Sequence, residues 1–460
     1  MGNKKNAWLK FDNTKKEEIF SFCEGYKKYI SDCKTERESI KEVIYLAESK
    51  GYRDLKNVIS AGKSLKAGDK VYYNNMDKSL ALFLIGSESI ESGMRIIGSH
   101  VDSPRLDLKP NPLYEDSELS LMETHYYGGV KKYQWVTIPL ALHGVVVKKD
   151  GTKIDVVVGE EETDPVVMVS DLLVHLASEQ QQKKATEVIA GEDLNILVGS
   201  MPLEGEEKEA VKANILKLLK EKYDFEEEDF MSAEIEIVPA GKARDLGLDR
   251  SMVAGYGHDD RICAYTSLLA LLETESTKKT SVVLLVDKEE VGSIGATGMQ
   301  SRFFENAVAE LMDRVGEYSE LKLRRALANS KMLSSDVTAA FDPNYAGAYE
   351  KKNSAFFGKG LAFAKYTGAR GKSGCNDANA EFVAWLRNVM DENDVAYQMA
   401  ELGKVDQGGG GTIAYILAEY GMEVIDCGVA LQNMHAPWEV ASKVDIFETM
   451  RGYKAFLMAE

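Results

Sequence analysis

The run Ser281–Val286 (SVVLLV) is apolar at every position after its serine, and it ends abruptly in Asp287-Lys288-Glu289-Glu290. A strand with no polar face has nothing to offer water, so it belongs inside a sheet covered on both sides. The surrounding pattern agrees. Ile262–Leu272 has helical apolar spacing, Phe304–Ser319 and Glu381–Met390 read as helices, and Gly411–Glu419 reads as a helix opened by a glycine loop. Val424–Ala430 reads as a further strand. Such alternation predicts an α/β fold with a central sheet flanked by helices. Two adjacent carboxylates at the end of a buried strand are costly unless something positive meets them.

The N-terminal part reads as a helix over Lys16–Ser49, then strands over Ala81–Gly86 and Met94–Gly98. From about Leu106 the texture changes. Tyr126–Val130, Trp135–Val147 and Lys153–Val158 look like short β segments with glycine turns. Asp164–Gln182 reads as helical, Glu204–Asp229 as a charged helix or arm, and Glu234–Val238 as a strand. The expected organisation is a first segment 1–104, an inserted β-rich domain 105–240, and a second segment 241–460.

Composition narrows the function classes. Fifty-six Lys and Arg against 74 Asp and Glu leave a formal charge of −18. That surplus repels phosphate backbones and anionic lipid, so nucleic acid and membrane surfaces are not expected partners. Cys23, Cys33, Cys263, Cys375 and Cys427 are scattered and form no CxxC pair, which fits a reducing compartment and no structural zinc knuckle. The opening MGNKKNAWLKFDN has no apolar core of signal-peptide length, and Asn6 breaks a Gly2 myristoylation motif. The apolar runs are too short to span a membrane. A cytoplasmic protein is expected.

The residues that can carry chemistry sit at the ends of expected strands. In Gly98-Ser99-His100-Val101-Asp102, positions 100 and 102 share a strand face, so His100 can ligate a metal while Asp102 supports it. His258-Asp259-Asp260-Arg261 stands before a helix, where Asp is equally at home as a cap. Glu289 and Glu290 diverge at a strand end, which suits one ligand and one general base. Asp336 in SSDV and His435 in MHA each look ordinary alone. Together these residues supply two imidazoles, one carboxylate able to bridge, and two terminal carboxylates. Oxygen and nitrogen donors without thiolate suit zinc, cobalt or manganese.

The order HVD, D-D, EEVGS, SSD, MH, with a β-rich stretch between the first two, resembles the aspartyl aminopeptidases and the related vacuolar aminopeptidase. The resemblance implies a dinuclear metallo-aminopeptidase with two divalent ions per subunit, zinc first, with cobalt and manganese as alternatives. It implies that His100 and Asp259 bind one metal with Glu290 or Asp336, that His435 completes the other site, and that Asp259 bridges. Glu289 would be the base that takes a proton from the bridging water, and Asp102 would support His100. His175, in SDLLVHLASEQ, would reach a neighbouring subunit's active site. The implied fold is a discontinuous catalytic domain plus an inserted β-rich dimerisation domain, and the implied assembly is a homo-oligomer, a tetrahedral dodecamer. Peptides are the implied substrates.

Three positions depart from the family pattern: Asp260 where Asn is common, Lys288 where His is common, and Ala436-Pro437-Trp438 after His435. None removes a ligand, but the last puts an acidic preference in doubt. Lys365, Tyr366, Arg370 and Lys372 form a basic loop, and Lys365 is the candidate contact to an acidic substrate side chain. Asp406–Thr412 (DQGGGGT) lets backbone approach closely and lacks the nucleotide-binding fingerprints, so shaping the pocket is its expected role. His125, His143 and His258 carry no assigned role, and GxSxG is absent. Two alternatives stay open: another dinuclear hydrolase such as a carboxypeptidase or deacylase, and a non-catalytic shell-forming assembly.

Overall fold

The computed structural model describes residues 5–368 and 370–460, so Gly2 lies outside the described residues. Thr280–Val286 is a strand with every residue buried, as its composition requires. It lies inside a nine-stranded mixed sheet. The strand order is Arg53–Asp54, Lys70–Asn75, Ser79–Leu84, Thr280–Val286, Met94–His100, Lys331–Ser335, Glu423–Gly428, Leu361–Ala364, Tyr397–Ala400. Thr280–Val286, Met94–His100, Lys331–Ser335 and Glu423–Gly428 run parallel to one another, so their carboxyl ends meet at one edge. Two apolar clusters cover the two faces. One gathers the helices Asn13–Asp32, His258–Leu272 and Lys443–Met458, and the other gathers Phe303–Arg314, Glu320–Ala328 and Ala414–Ala418.

The chain forms two compact units. One comprises Met1–Asp102, Ala243–Met434 and Glu439–Glu460, and contains the nine-stranded sheet and a five-stranded sheet. The other comprises Ser103–Lys242 with the short segment His435–Trp438, and is built on a seven-stranded sheet. The whole is a mixed α/β fold with several sheets. Among the described residues no helix is long and apolar enough to cross a membrane.

Local chemistry explains where the elements differ from the sequence expectations. The helix expected over Lys16–Ser49 is two helices, Asn13–Asp32 and Glu36–Ser49. Thr35 is extended and forms a capping box with Glu38, which starts a new helix instead of continuing the old one. The helix expected over Glu204–Asp229 spans only Ala210–Tyr223, because Glu209 and Asp224, at φ 45° and 54°, bound it in the left-handed region. Asp164–Gln182 is not an α-helix. It holds a short strand, Met168–Val169, then turns, with only Gln180–Gln182 in a 3₁₀ helix. Leu172, Leu173, Val174 and Leu176 are exposed there, and an apolar stripe without a surface to pack against does not hold a helix. Trp135–Pro139 is likewise outside any strand, and the strand begins at Leu140. The expected strand Val424–Ala430 divides: Glu423–Gly428 joins the nine-stranded sheet and Ala430–Gln432 the five-stranded one.

Candidate metal centre

Three adjacent parallel strands deliver the site. Val286 and His100 are register partners, so the turn after Val286 stands beside the imidazole. Ser334 is the register partner of Gly98, so Asp336 emerges on the other side. Ligands of open α/β sheets gather in such a crevice at the carboxyl ends of strands.

His100 is 2% exposed and sits at the centre. Its Nε2 lies 3.2 Å from Asp259 Oδ1, 3.9 Å from Asp336 Oδ1 and 4.0 Å from Glu289 Oε2. Its Nδ1 lies 3.0 Å from the Asp102 carbonyl oxygen and 3.3 Å from Asp102 Oδ1. Donor atoms of His100, Asp260 and Asp336 lie within 4.8 Å of one another, and so do those of His100, Glu289 and Glu290. The structure thus brings His100, Asp102, Asp259, Glu289, Glu290 and Asp336 together.

The turn that carries the two glutamates is shaped by its ends. Lys288 and Gly292 both have positive φ, 68° and 99°, and enclose a single 3₁₀ turn, Glu289–Val291. Glycine meets that demand without strain at 292, whereas Lys288 meets it only because its neighbours hold it. Its N–H donates to Asp287 Oδ1 at 2.8 Å, and its carbonyl accepts from Ser293 N at 2.7 Å. Asp287 itself is buried, and its other oxygen accepts from Thr297 Oγ1 at 2.6 Å. Asp102 then grips the turn directly: Oδ1 accepts from Glu289 N and Oδ2 from Glu290 N, both at 3.2 Å.

Two contributors went unassigned in the sequence. Asp260 Oδ2 accepts from the backbone N of His100 at 3.3 Å, so it anchors the strand end. Glu439 Oε2 accepts from Asp259 N at 3.1 Å and fixes the backbone that presents Asp259. Only proximity in sequence to Asp259 and to His435 marked them. The peptide Asp259–Asp260 is cis. His258 next door is buried, with Nδ1 2.6 Å from Tyr26 Oη, and burial pulls its imidazole down to about 3.

The electrostatics are those of a site short of positive charge. Burial opposes the imidazolium of His100, but hydrogen bonds to Asp102 and Asp259 and the charge of Glu289 outweigh it and push His100 well above its ordinary value. Burial and the charge of Asp259 push Asp336 well above the carboxylate range, and burial and Asp336 do the same to Asp260. Carboxylates crowded this closely around one imidazole favour a divalent cation, and hard oxygen and nitrogen donors without thiolate fit zinc.

The remaining sequence candidates are His435, His175 and Lys365. His435, at φ 66°, belongs to the short segment that folds with the second unit, and its Nδ1 lies 2.9 Å from the Gly129 carbonyl oxygen. His175 is exposed in a turn of the second unit, not on a helix face. Lys365 pairs with Asp377 at 3.3 Å, an acid that also takes Lys372 at 2.8 Å.

Residues 29–457 match the family described as Aminopeptidase I zinc metalloprotease (M18). This chain belongs to the M18 family. A probable M18 family aminopeptidase 1 of Clostridium acetobutylicum is 66% identical over 98% of this chain and 98% of its own length. The crystal structure of an M18 aminopeptidase from Thermotoga maritima matches at TM-score 0.95 and 45% identity, over 99% of each chain. That of aminopeptidase I from C. acetobutylicum matches at TM-score 0.93 and 64% identity, again over 99% of each. The mApe1 dodecamer of S. cerevisiae, 21% identical, shares the fold at TM-score 0.77 over 95% of this chain and 96% of that one. As an M18 member the chain is a metal-dependent hydrolase of N-terminal peptide bonds, and zinc is the family's metal.

Proposed function

We propose that the cluster around His100 holds two divalent cations and removes the first residue from peptides with a free N-terminus. His100, Asp259, Glu290 and Asp336 are its ligands, Asp259 is the bridging carboxylate, and His435 is the second imidazole. When bound, the ions supply Lewis acidity to the scissile carbonyl and make water a nucleophile near neutral pH. Glu289 takes the proton of the attacking water and passes it to the leaving amine. Asp102 positions both glutamates through their backbone N–H groups and orients His100 through its own carbonyl oxygen. The convergence of Asp259, Asp336 and Glu289 on one buried imidazole supports this reading most directly.

The test is hydrolysis of Asp, Glu, Leu, Ala and Lys N-terminal substrates and of N-blocked peptides, with and without chelator, beside Glu289→Gln. The variant should retain metal while kcat falls by about 10²–10⁴. Turnover close to the parent's would remove Glu289 as base. Efficient cleavage of blocked peptides would point instead to a carboxypeptidase or deacylase.

The second unit is the dimerisation domain in this reading, with His175 presented to a neighbouring subunit's site in a tetrahedral dodecamer. The exposed Leu172, Leu173, Val174 and Leu176 around His175 support an interface there. Lys365 is the proposed contact to an acidic N-terminal side chain, and the enzyme works in the cytoplasm. Mass measurement in solution tests the assembly, and Lys365→Met assayed on Asp against Leu substrates tests the preference.

A further inference from the structure

At the opposite ends of the strands that carry the cluster lies a second concentration of charge. Ser281, Arg95, Lys331 and Glu423 are successive register partners across four neighbouring strands, so they form one row on one face of the sheet. Trp385 and Phe382, stacked at 5.9 Å on the helix Ala380–Glu392, wall that row. Arg95 Cζ lies 5.0 Å from the Trp385 ring centre, and Lys331 Nζ lies 5.5 Å from Trp385 and 5.0 Å from Phe382.

Arg95 is only 4% exposed, yet among the described residues its guanidinium makes no hydrogen bond and no ion pair, and its Nε is buried without a partner. The acids within electrostatic reach are already committed. Glu88 is paired with Lys279 at 2.9 Å. Both carboxylate oxygens of Glu423 accept from Asn379 Nδ2, at 3.0 and 3.1 Å. Burial pulls Arg95 below its ordinary value, and burial together with Arg95 does the same to Lys331. With Glu88 balanced by Lys279, Arg95 and Lys331 carry two positive charges against the one negative charge of Glu423, which leaves a net positive charge. Cation–π contact offsets only part of the cost of burying it.

We propose that Arg95 and Lys331, walled by Trp385, form a binding site for a small oxyanion, a carboxylate or a phosphate group. The guanidinium fork reads two oxygens of such a group, and the ammonium adds a point charge. The site is separate from the metal centre: His100 lies five residues further along the same strand, about 17 Å away. The proposal stands independently of the peptidase assignment.

The test uses the metal-loaded enzyme at low ionic strength, titrated separately with inorganic phosphate and with acetate. Heat of binding and tryptophan emission are followed in the parent, Arg95→Met and Lys331→Met. One of the two anions should bind saturably and change the emission, and should bind at least about tenfold more weakly to each variant. Which anion binds identifies the group. Phosphate held only at the metal centre would bind equally well to all three proteins, and that result overturns the proposal. So does the absence of saturable binding to the parent. Among the described residues neither cation is in an ion pair, so Met at either position leaves no buried charge without its partner, and both variants should fold. A melting temperature that rises with anion for the parent alone provides the check within folded protein.

Discussion

Replacing Asp102 with Asn tests whether that residue acts through the glutamate turn. Its two oxygens each accept one backbone N–H, from Glu289 and from Glu290, at 3.2 Å. An amide has one oxygen and one NH₂, so one of those N–H groups must then face another donor. Losing one charge-assisted bond costs about 1.5–3 kcal/mol, which is about 10- to 150-fold in rate if it is expressed in the transition state. The imidazole is less affected, because His100 Nδ1 keeps the residue's backbone carbonyl oxygen at 3.0 Å. The expected result is therefore a fall in kcat of that size, with metal content retained and KM within about threefold of the parent. The assay is steady-state hydrolysis of an N-terminal amino-acid anilide, with metal measured on the same preparations. A kcat within about twofold of the parent would refute the positioning role. Complete loss of metal would show that the carboxylate serves His100 more than the turn.

Glu439→Gln keeps the size of the acceptor beside Asp259 N but weakens its charge, and about a tenfold loss in metal affinity is expected, read by competition with a chelator. Removing the metals altogether should abolish turnover and lower the melting temperature, because a cation bound only by the folded state stabilises it by mass action; readdition of zinc should reverse both. Asp245 gives a pH prediction away from the site. Burial pushes its carboxyl up, but hydrogen bonds from Lys27 and Lys443 outweigh burial and hold it well below its usual range. A depressed folded-state pKa contributes stability above the unfolded value of about 3.9, and that contribution fades as pH falls through the folded one. Lys443 is fully buried and 2.8 Å from Asp245, so Asp245→Asn should cost about 3–5 kcal/mol at pH 7. The difference from the parent, followed by urea unfolding, should shrink steadily below about pH 4.

The parts of the site that were legible in the sequence are those where burial forces a charge to find a partner. SVVLLV running into Asp287-Lys288-Glu289-Glu290 is such a place, and so is His100 at the end of Met94–His100. The mixed α/β architecture was legible for the same reason. Asp260 and Glu439 were not, because they act on backbone N–H groups distant in sequence, and no local pattern encodes a hydrogen bond spanning 180 residues. Asp164–Gln182 misled because its apolar spacing resembles a helix face, while Leu172, Leu173, Val174 and Leu176 find nothing within the chain to cover them. The break at Thr35 was legible only in part: Thr35 and Glu38 have capping-box spacing, but the residues on both sides favour helix.

The charges at the two ends of the central strands do not satisfy each other. Arg95 and Lys331 stand where Met94–His100 and Lys331–Ser335 begin, and the carboxylates stand where those strands finish. Between them lie Ile96, Ile97, Met332 and Leu333, all fully buried. Across about 17 Å, at an effective dielectric of about 20, a pair of unit charges interacts by only about 1 kcal/mol. That is less than a single charge-assisted hydrogen bond contributes. The strands themselves add no useful field, since sheets have small net dipoles. Each end must therefore be balanced locally. The carboxyl-end cluster requires cations, which the donor set of His100, Asp259, Glu290 and Asp336 suits. The amino-end pair requires an anion, which the fork of Arg95 suits. Neutralising one end should leave the ligand affinity of the other almost unchanged.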